Sequence, residues 1–215
     1  MIESRWQKDM NSADSYFETD GNKYRIVNAD PATILRHIRD SDYGDHNLVV
    51  YPCLPQLEEF YIECCKHSIL ERKEIFVVVT HYQHISAVRK KMYLAGIEAA
   101  NYENDGTLVI LDSEIAYQPT SEQTPTTYDI IILTTTLMKQ VQERNKKGIT
   151  LLSDMGTFIL NNRIAELISY EQSVPAKIDI SIRSFCCYHK DDFNLLTEEQ
   201  RKRILEHHSN NLIVS

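Results

Sequence analysis

Residues 75–79 (IFVVV) form an unbroken run of β-branched and aromatic side chains inside the longer segment 74–80 (EIFVVVT). A strand without alternating polar positions is covered on both faces, which is the situation of a central strand in a parallel sheet flanked by helices. Similar apolar runs recur at 47–51 (NLVVY), 107–111 (TLVIL), 149–152 (ITLL), 179–188 (DISIRSFCCY) and 211–214 (NLIV). Segments with helical spacing lie between them. In 55–70, Leu57, Phe60, Tyr61, Cys64, Cys65 and Ile69 share one stripe; in 84–95, Ile85, Val88, Met92 and Ala95 do. Gly96 is placed to end the second of these in the left-handed conformation. Residues 161–170 repeat the pattern through Ile164, Leu167 and Ile168, and Thr197 with Gln200 makes a capping box for a helix reaching about residue 208. Strands alternating with helices predict βα crossovers, hence an α/β fold of three layers with a mostly parallel sheet between two helical faces.

Residues 129–138 (DIIILTTTLM) have strand-like composition, but Ile130, Leu133, Leu137 and Val141 also fit a helical face. The uninterrupted run to Arg144, followed by Lys146, Lys147 and Gly148, predicts a helix of about five turns. Residues 118–127, rich in Pro, Thr, Ser and Gln, read as an exposed loop. Residues 1–30 show no sustained period and read as a loosely attached arm. Asp30 as N-cap and Pro31 at the first helical position predict a short helix over 32–39. The stretch 41–45 then punctuates the chain, giving an N-terminal arm with a short helix (1–44) and an α/β domain (45–215).

At 215 residues, 42% of them hydrophobic, the chain suffices for one well-buried domain. No apolar run approaches the roughly 20 residues needed to span a bilayer. The polar first residues do not read as a signal peptide. Five cysteines, including two adjacent pairs, do not form a secreted disulfide pattern, so a cytoplasmic location is expected. A net charge of −8 argues against direct nucleic-acid binding. The basic triplets Arg89-Lys90-Lys91 and Arg201-Lys202-Arg203 read as solvated helix faces.

A P-loop nucleotidase would carry GxxxxGK[ST] after its first strand, with bare N–H groups and a lysine around phosphate. Here Pro52-Cys53-Leu54 joins strand 47–51 to its helix, with neither glycine nor lysine. Asp154, ending an apolar run, occupies the kind of position where a Walker B carboxylate would hold Mg²⁺; without a phosphate loop the expected role is structural. Open α/β sheets bind ligands outside the carboxyl ends of their strands. That edge comprises Tyr51, Cys53, Thr80, Tyr82, Asp112, Asp154, Tyr188 and His189, which are the candidate ligand-binding residues; the alternative is that the aromatics simply close the top of the sheet. CCxH occurs at Cys64-Cys65-Lys66-His67 and at Cys186-Cys187-Tyr188-His189. Adjacent strand residues point to opposite faces and neither string has zinc-knuckle spacing, so no metal site is expected. His81 and His84, an HxxH pair, read as solvated or capping residues. Neither GxSxG nor GxGxxG is present, and neither catalysis nor a cofactor is expected.

HNLVVY (46–51), LEEFYIECC (57–65), the stretch 74–117, ITLLSDMGTF (149–158), LISYEQSV (167–174) and FCCYHKDDF (185–193) occur in an order and spacing that resemble the methanogen/methylotroph DcmR sensory domain family. The resemblance covers about 45–214. Where the family's last long strand often ends in a Cys-x-Tyr-Asp-like string, this chain has Cys186-Cys187-Tyr188-His189. The resemblance implies a RecA/KaiC-like domain that has lost its ATP-binding residues, and a non-catalytic sensory function. On that basis the strand C-terminal edge is expected to bind a small molecule or a signalling partner such as a histidine kinase or a transcription regulator. Two rivals are a divergent nucleotide binder of RecA/KaiC type using Asp154 and a purely structural interaction module.

Overall fold

The computed structural model describes residues 5–8, 14–19, 22–118, 129–174 and 180–214. The elements follow in chain order. A first group comprises β1 (Arg5–Lys8), β2 (Asp14–Thr19), β3 (Asn22–Ala29), α1 (Pro31–Asp40), β4 (His46–Tyr51) and α2 (Leu54–Lys66), which continues into a π-helical turn (His67–Arg72). Then come β5 (Ile75–Thr80), α3 (Ile85–Leu94), α4 (Ala99–Asn104), β6 (Leu108–Asp112), α5 (Ser113–Ala116) and α6 (Asp129–Glu143). The remainder is β7 (Ile149–Asp154), α7 (Gly156–Leu160), α8 (Ile164–Ser173), β8 (Ile182–His189), α9 (Lys190–Leu195), α10 (Glu198–Leu205) and β9 (Asn210–Val214).

Among the described residues the strands form one nine-stranded sheet in the order β1-β2-β3-β9-β4-β8-β7-β5-β6. From β3 to β6 every pairing is parallel, and β1 and β2 add an antiparallel edge. Strand alternation sorts side chains into two cores. Val49, Tyr51, Phe185 and Cys187 face α1 to α4, whereas Leu48, Val50, Cys186 and Tyr188 face α5 to α10. The predicted three-layer α/β architecture is what forms.

Several local predictions meet their physical cause. Asp30 caps α1 by accepting from the Thr33 N–H at 3.0 Å, Gly96 adopts φ +82° after α3, and Thr197 and Gln200 make the reciprocal capping box. The segment with strand-like composition at 129–143 is a helix. Its C-terminal left-handed residue is Asn145 (φ 53°), not Gly148. Gly148 is instead demanded by crowding, because a Cβ there would lie 2.4 Å from the Ser181 carbonyl oxygen. The loop expected at 118–127 lies, beyond residue 118, outside the described residues.

The expectation of a loose arm over 1–30 needs correction. Strand β3 takes a place in the sheet, with Ile26 opposite Asn211 and Ala29 opposite Val214, and Ile26 and Val27 are buried. Its partner β9 is nearly the whole chain away, so local sequence carries no sign of the pairing.

At the end of the sheet where β5, β7 and β8 begin, one fully buried cation is held by a dense set of acceptors. Arg183 lies 3.3 Å from the Glu74 carboxylate and donates from Nε to Thr150 Oγ1 at 2.8 Å. Its Nη1 donates to the Ile38 and Arg39 carbonyls at 3.0 and 3.2 Å, the free C-terminal acceptors of α1, and its Nη2 to Ser68 Oγ at 3.2 Å. Glu74, also buried, accepts as well from Arg72 and Thr150. Burial alone would raise the Glu74 carboxyl, but Arg183, Thr150 and Arg72 together hold it below its ordinary value.

Candidate functional site

At the opposite end of the sheet, where the parallel strands terminate, the structure gathers part of the predicted set. Tyr51 and His189 are direct partners in the β4–β8 register. Their rings meet edge-on at 5.3 Å, and Tyr82 leans on His189 at 5.7 Å. Asp154 lies fully buried beside them, accepting from the Gly156 N–H at 3.1 Å and, at the limit of a hydrogen bond, from the Tyr51 hydroxyl at 3.5 Å. Burial pushes the Asp154 pKa up to about 7, although the Gly156 and His81 N–H groups and Tyr51 pull it down.

Two residues not predicted for this edge complete the group. His81 packs edge-on against Tyr82 at 5.1 Å. Gly156 leaves room for both rings, since a Cβ would lie 2.8 Å from His81 Cδ2 and 3.0 Å from Tyr82 Cε2. The other predicted residues are elsewhere engaged. Thr80 donates to the Gln83 carbonyl at 3.0 Å, and Asp112 caps α5 by accepting from the Glu114 N–H at 2.8 Å. Cys53 is exposed at the start of α2 and makes no capping hydrogen bond. Tyr188 turns to the other face of the sheet, where its hydroxyl donates to Glu171 Oε1 and its ring meets Phe193.

That other face holds a second constellation. His46, Glu171, Cys186 and His208 are all buried, each presenting one N, O or S atom within 4.8 Å of the others. The separations are 3.3 Å from His46 Nε2 to Cys186 Sγ, 3.6 Å from His46 Nε2 to Glu171 Oε2, and 3.4 Å from His208 Nε2 to Glu171 Oε2. The two imidazole rings lie 4.0 Å apart. His46 Nδ1 sits 3.0 Å from the His207 carbonyl oxygen and His208 Nδ1 2.8 Å from that of Ile204. Both rings therefore carry their proton on Nδ1, and both Nε2 lone pairs point inward. Burial drives His46 down to about 4 and His208 well below the ordinary histidine range. It raises Glu171 to about 7, against the Tyr188 hydroxyl and Cys186, and lifts the Cys186 thiol.

Only Cys186 of this group belongs to a CCxH string; His46 and Glu171 lie in the stretches 46–51 and 167–174, which carry no metal-ligand spacing. Its neighbour Cys187 faces the other core, as strand alternation requires, and His189 stays at the sheet edge. Ligand types drawn from four distant positions leave no spacing to read. The one local sign is that His46 shares the parity of Leu48 and Val50 at the head of a buried strand.

Beside this cluster a cavity of about 150 Å³ opens between α6 and the sheet. Its wall includes Ile130, Ile131, Leu151, Tyr170 and Ile182, with Thr134, Ser184, His46 and Cys186 as polar points. The Ser184 hydroxyl is buried without a hydrogen-bond partner.

The sequence profile of the methanogen/methylotroph DcmR sensory domain matches residues 45–209. No curated protein matches the chain. Among solved structures, a KaiC-like protein from the hyperthermophilic archaeon Pyrococcus horikoshii OT3 is similar, with a TM-score of 0.50 and 14% identity over 75% of this chain and 70% of that one. At that identity the likeness speaks for the fold alone, which is α/β of KaiC-like type. No helix among the described residues is long and apolar enough to cross a membrane.

Proposed function

The chain belongs to the methanogen/methylotroph DcmR sensory domain family, and on that premise we propose that it is a non-catalytic sensor of a small, largely apolar molecule held between α6 and the sheet. The observation that carries this reading is the cavity of about 150 Å³ with its aliphatic and aromatic wall and the unpartnered Ser184 hydroxyl. Apolar cavities of about 150 Å³ take up benzene-sized molecules, whereas drug-sized ligands need roughly 300 Å³ or more. Size therefore favours a ligand of about six heavy atoms. The unpartnered Ser184 hydroxyl would orient it.

Signalling requires that the ligand prefer one conformation over another. Helix α6 is suited to move. Its Ile130 to Thr136 stretch is β-branched except at Leu133, which gives weak intrinsic helicity. Thr134, Thr135 and Thr136 return their hydroxyls to the carbonyls four residues back, a bond pattern that bends helices. A ligand beneath α6 would shift its outer face, which a histidine kinase or a transcription regulator could read.

The test is thermal unfolding with benzene as probe, in the wild type and in Ser184→Leu, whose side chain fills the cavity. Benzene at tenfold its dissociation constant should stabilise the wild type by about 1.4 kcal/mol, or roughly 3–5 °C, and leave the variant unmoved. An equal response in both would refute the reading. A second site is favoured by one observation, the buried Asp154 carboxylate at the strand ends beside Tyr51, Tyr82 and His189. Ligand binding that survives Ser184→Leu and disappears in His189→Ala would place it there. Micromolar ATP binding with Mg²⁺, abolished by Asp154→Ala, would instead favour a nucleotide binder.

A further inference from the structure

We propose that His46, Glu171, Cys186 and His208 form a closed four-ligand site for one Zn²⁺ ion. The site does not depend on what the neighbouring cavity binds. Around a tetrahedral zinc at about 2.0–2.3 Å from its ligands, ligand atoms lie roughly 3.3–3.8 Å from one another. Three of the six separations, at 3.3, 3.4 and 3.6 Å, fall in that range, and the other three are within 4.8 Å. The donors come from the head of β4, the body of β8, helix α8 and the turn between α10 and β9, all packed elements of the second core.

Hydrogen bonding alone leaves the cluster incomplete. Both histidines place Nδ1 against a backbone carbonyl, the arrangement that fixes metal-binding imidazoles with Nε2 free to ligate. Glu171 Oε2 and His208 Nε2 are buried and face each other with no N–H or O–H donor between them, the Cys186 thiol alone acting on the carboxylate from that side. Two acceptors turned toward one another in a dry interior need a shared cation or an added proton. The second Glu171 oxygen is already positioned by the Tyr188 hydroxyl. With a thiolate and a carboxylate as anionic ligands and two neutral imidazoles, a divalent ion gives a site of zero net charge. Binding releases the thiol and carboxyl protons, and no electron moves. A set of two nitrogens, one sulfur and one oxygen selects zinc over the hard cations Mg²⁺ and Ca²⁺. Four protein ligands leave no open coordination position, which is the signature of a structural ion.

The full chain, equilibrated with Zn²⁺ and then dialysed, should retain one zinc per molecule by elemental analysis and unfold at a higher temperature than the chelated protein. Co²⁺ in place of zinc should give the visible bands of a tetrahedral site and a thiolate-to-cobalt absorption in the near ultraviolet. Cys186→Ser and His208→Ala should each weaken zinc binding by at least about 100-fold, and Tyr188→Phe, which only orients Glu171, by about 10-fold. Cys53→Ser, at an exposed cysteine, should bind as the wild type does. A folded wild type that holds no zinc, or that shows no thiolate-to-cobalt band, overturns the proposal whether or not the variants fold. So does zinc retained equally by Cys186→Ser or lost in Cys53→Ser.

Discussion

Replacing Glu74 with glutamine keeps the shape of the side chain but removes the only carboxylate that the described residues place against the buried Arg183 guanidinium. Arginine cannot shed its proton, so Glu74→Gln strands a full positive charge in the interior. Breaking such a buried pair costs about 3–5 kcal/mol. For a chain of this length that lowers the melting temperature by roughly 6–20 °C. Arg183→Met should be milder, because Glu74 retains Arg72 and Thr150 while the Ile38 carbonyl loses its donor, at about 1–3 kcal/mol. The double variant carries no stranded charge. Its loss should approach that of Arg183→Met alone and lie at least ~2 kcal/mol below the sum of the single losses. Urea denaturation of the four proteins at neutral pH measures this coupling. Because the Glu74 pKa is depressed when folded, its contribution is present above its ordinary 4.5 and lost as pH falls below it, so the gap between wild type and Glu74→Gln should close in acid. Losses that simply add, to within about 0.5 kcal/mol, would refute the idea that Arg183 depends on Glu74.

Asp154, with its pKa raised from 3.8 to about 7, keeps a proton that the unfolded chain gives up. Stability is therefore lost as pH rises between those values, and Asp154→Asn should raise stability at pH 8 by up to about 4 kcal/mol with little effect near pH 4; equal denaturation midpoints for both proteins at pH 8 would contradict this. Gly156→Ala gains helix propensity of up to about 1 kcal/mol, but its Cβ meets the His81 and Tyr82 rings, so thermal melts should show a net loss of about 1–2 kcal/mol. Thr197→Ala removes the hydroxyl that accepts from the Gln200 N–H and should cost about 1 kcal/mol, read by the same melts.

The central strands and their covering helices were legible because burial on two faces leaves its mark in every residue of runs such as Ile75–Thr80. Helix α6 was legible despite its composition, since its apolar spacing outlasted any strand. Other elements were not. Helices α4, α7 and α9 span five or six residues, too few for a helical period to repeat. The π-helical turn after α2 has no pattern of its own, yet it brings Ser68 to Arg183. At the strand ends, position along the chain identified Tyr51, Tyr82, Asp154 and His189 as neighbours. It could not tell that Tyr188, one residue before His189, faces the other core, because β8 is apolar on both faces and its sequence shows no alternation. The four-residue cluster was least legible, being built from tertiary convergence rather than spacing.

The position of β9 has a consequence for how the molecule assembles. This strand lies between β3 and β4 and hydrogen-bonds in parallel to both, while β3 has β2 as its other neighbour. Strands β1 to β3, far ahead of β9 in the chain, thus have no seat on the main sheet until residues 210–214 are in place. The early hairpin must wait, unpaired along one side, while the central strands are laid down, and β9 then joins the two parts like a keystone. Removing those five residues should release the whole N-terminal hairpin as well as one strand, so the two ends of the described chain unfold as a single unit.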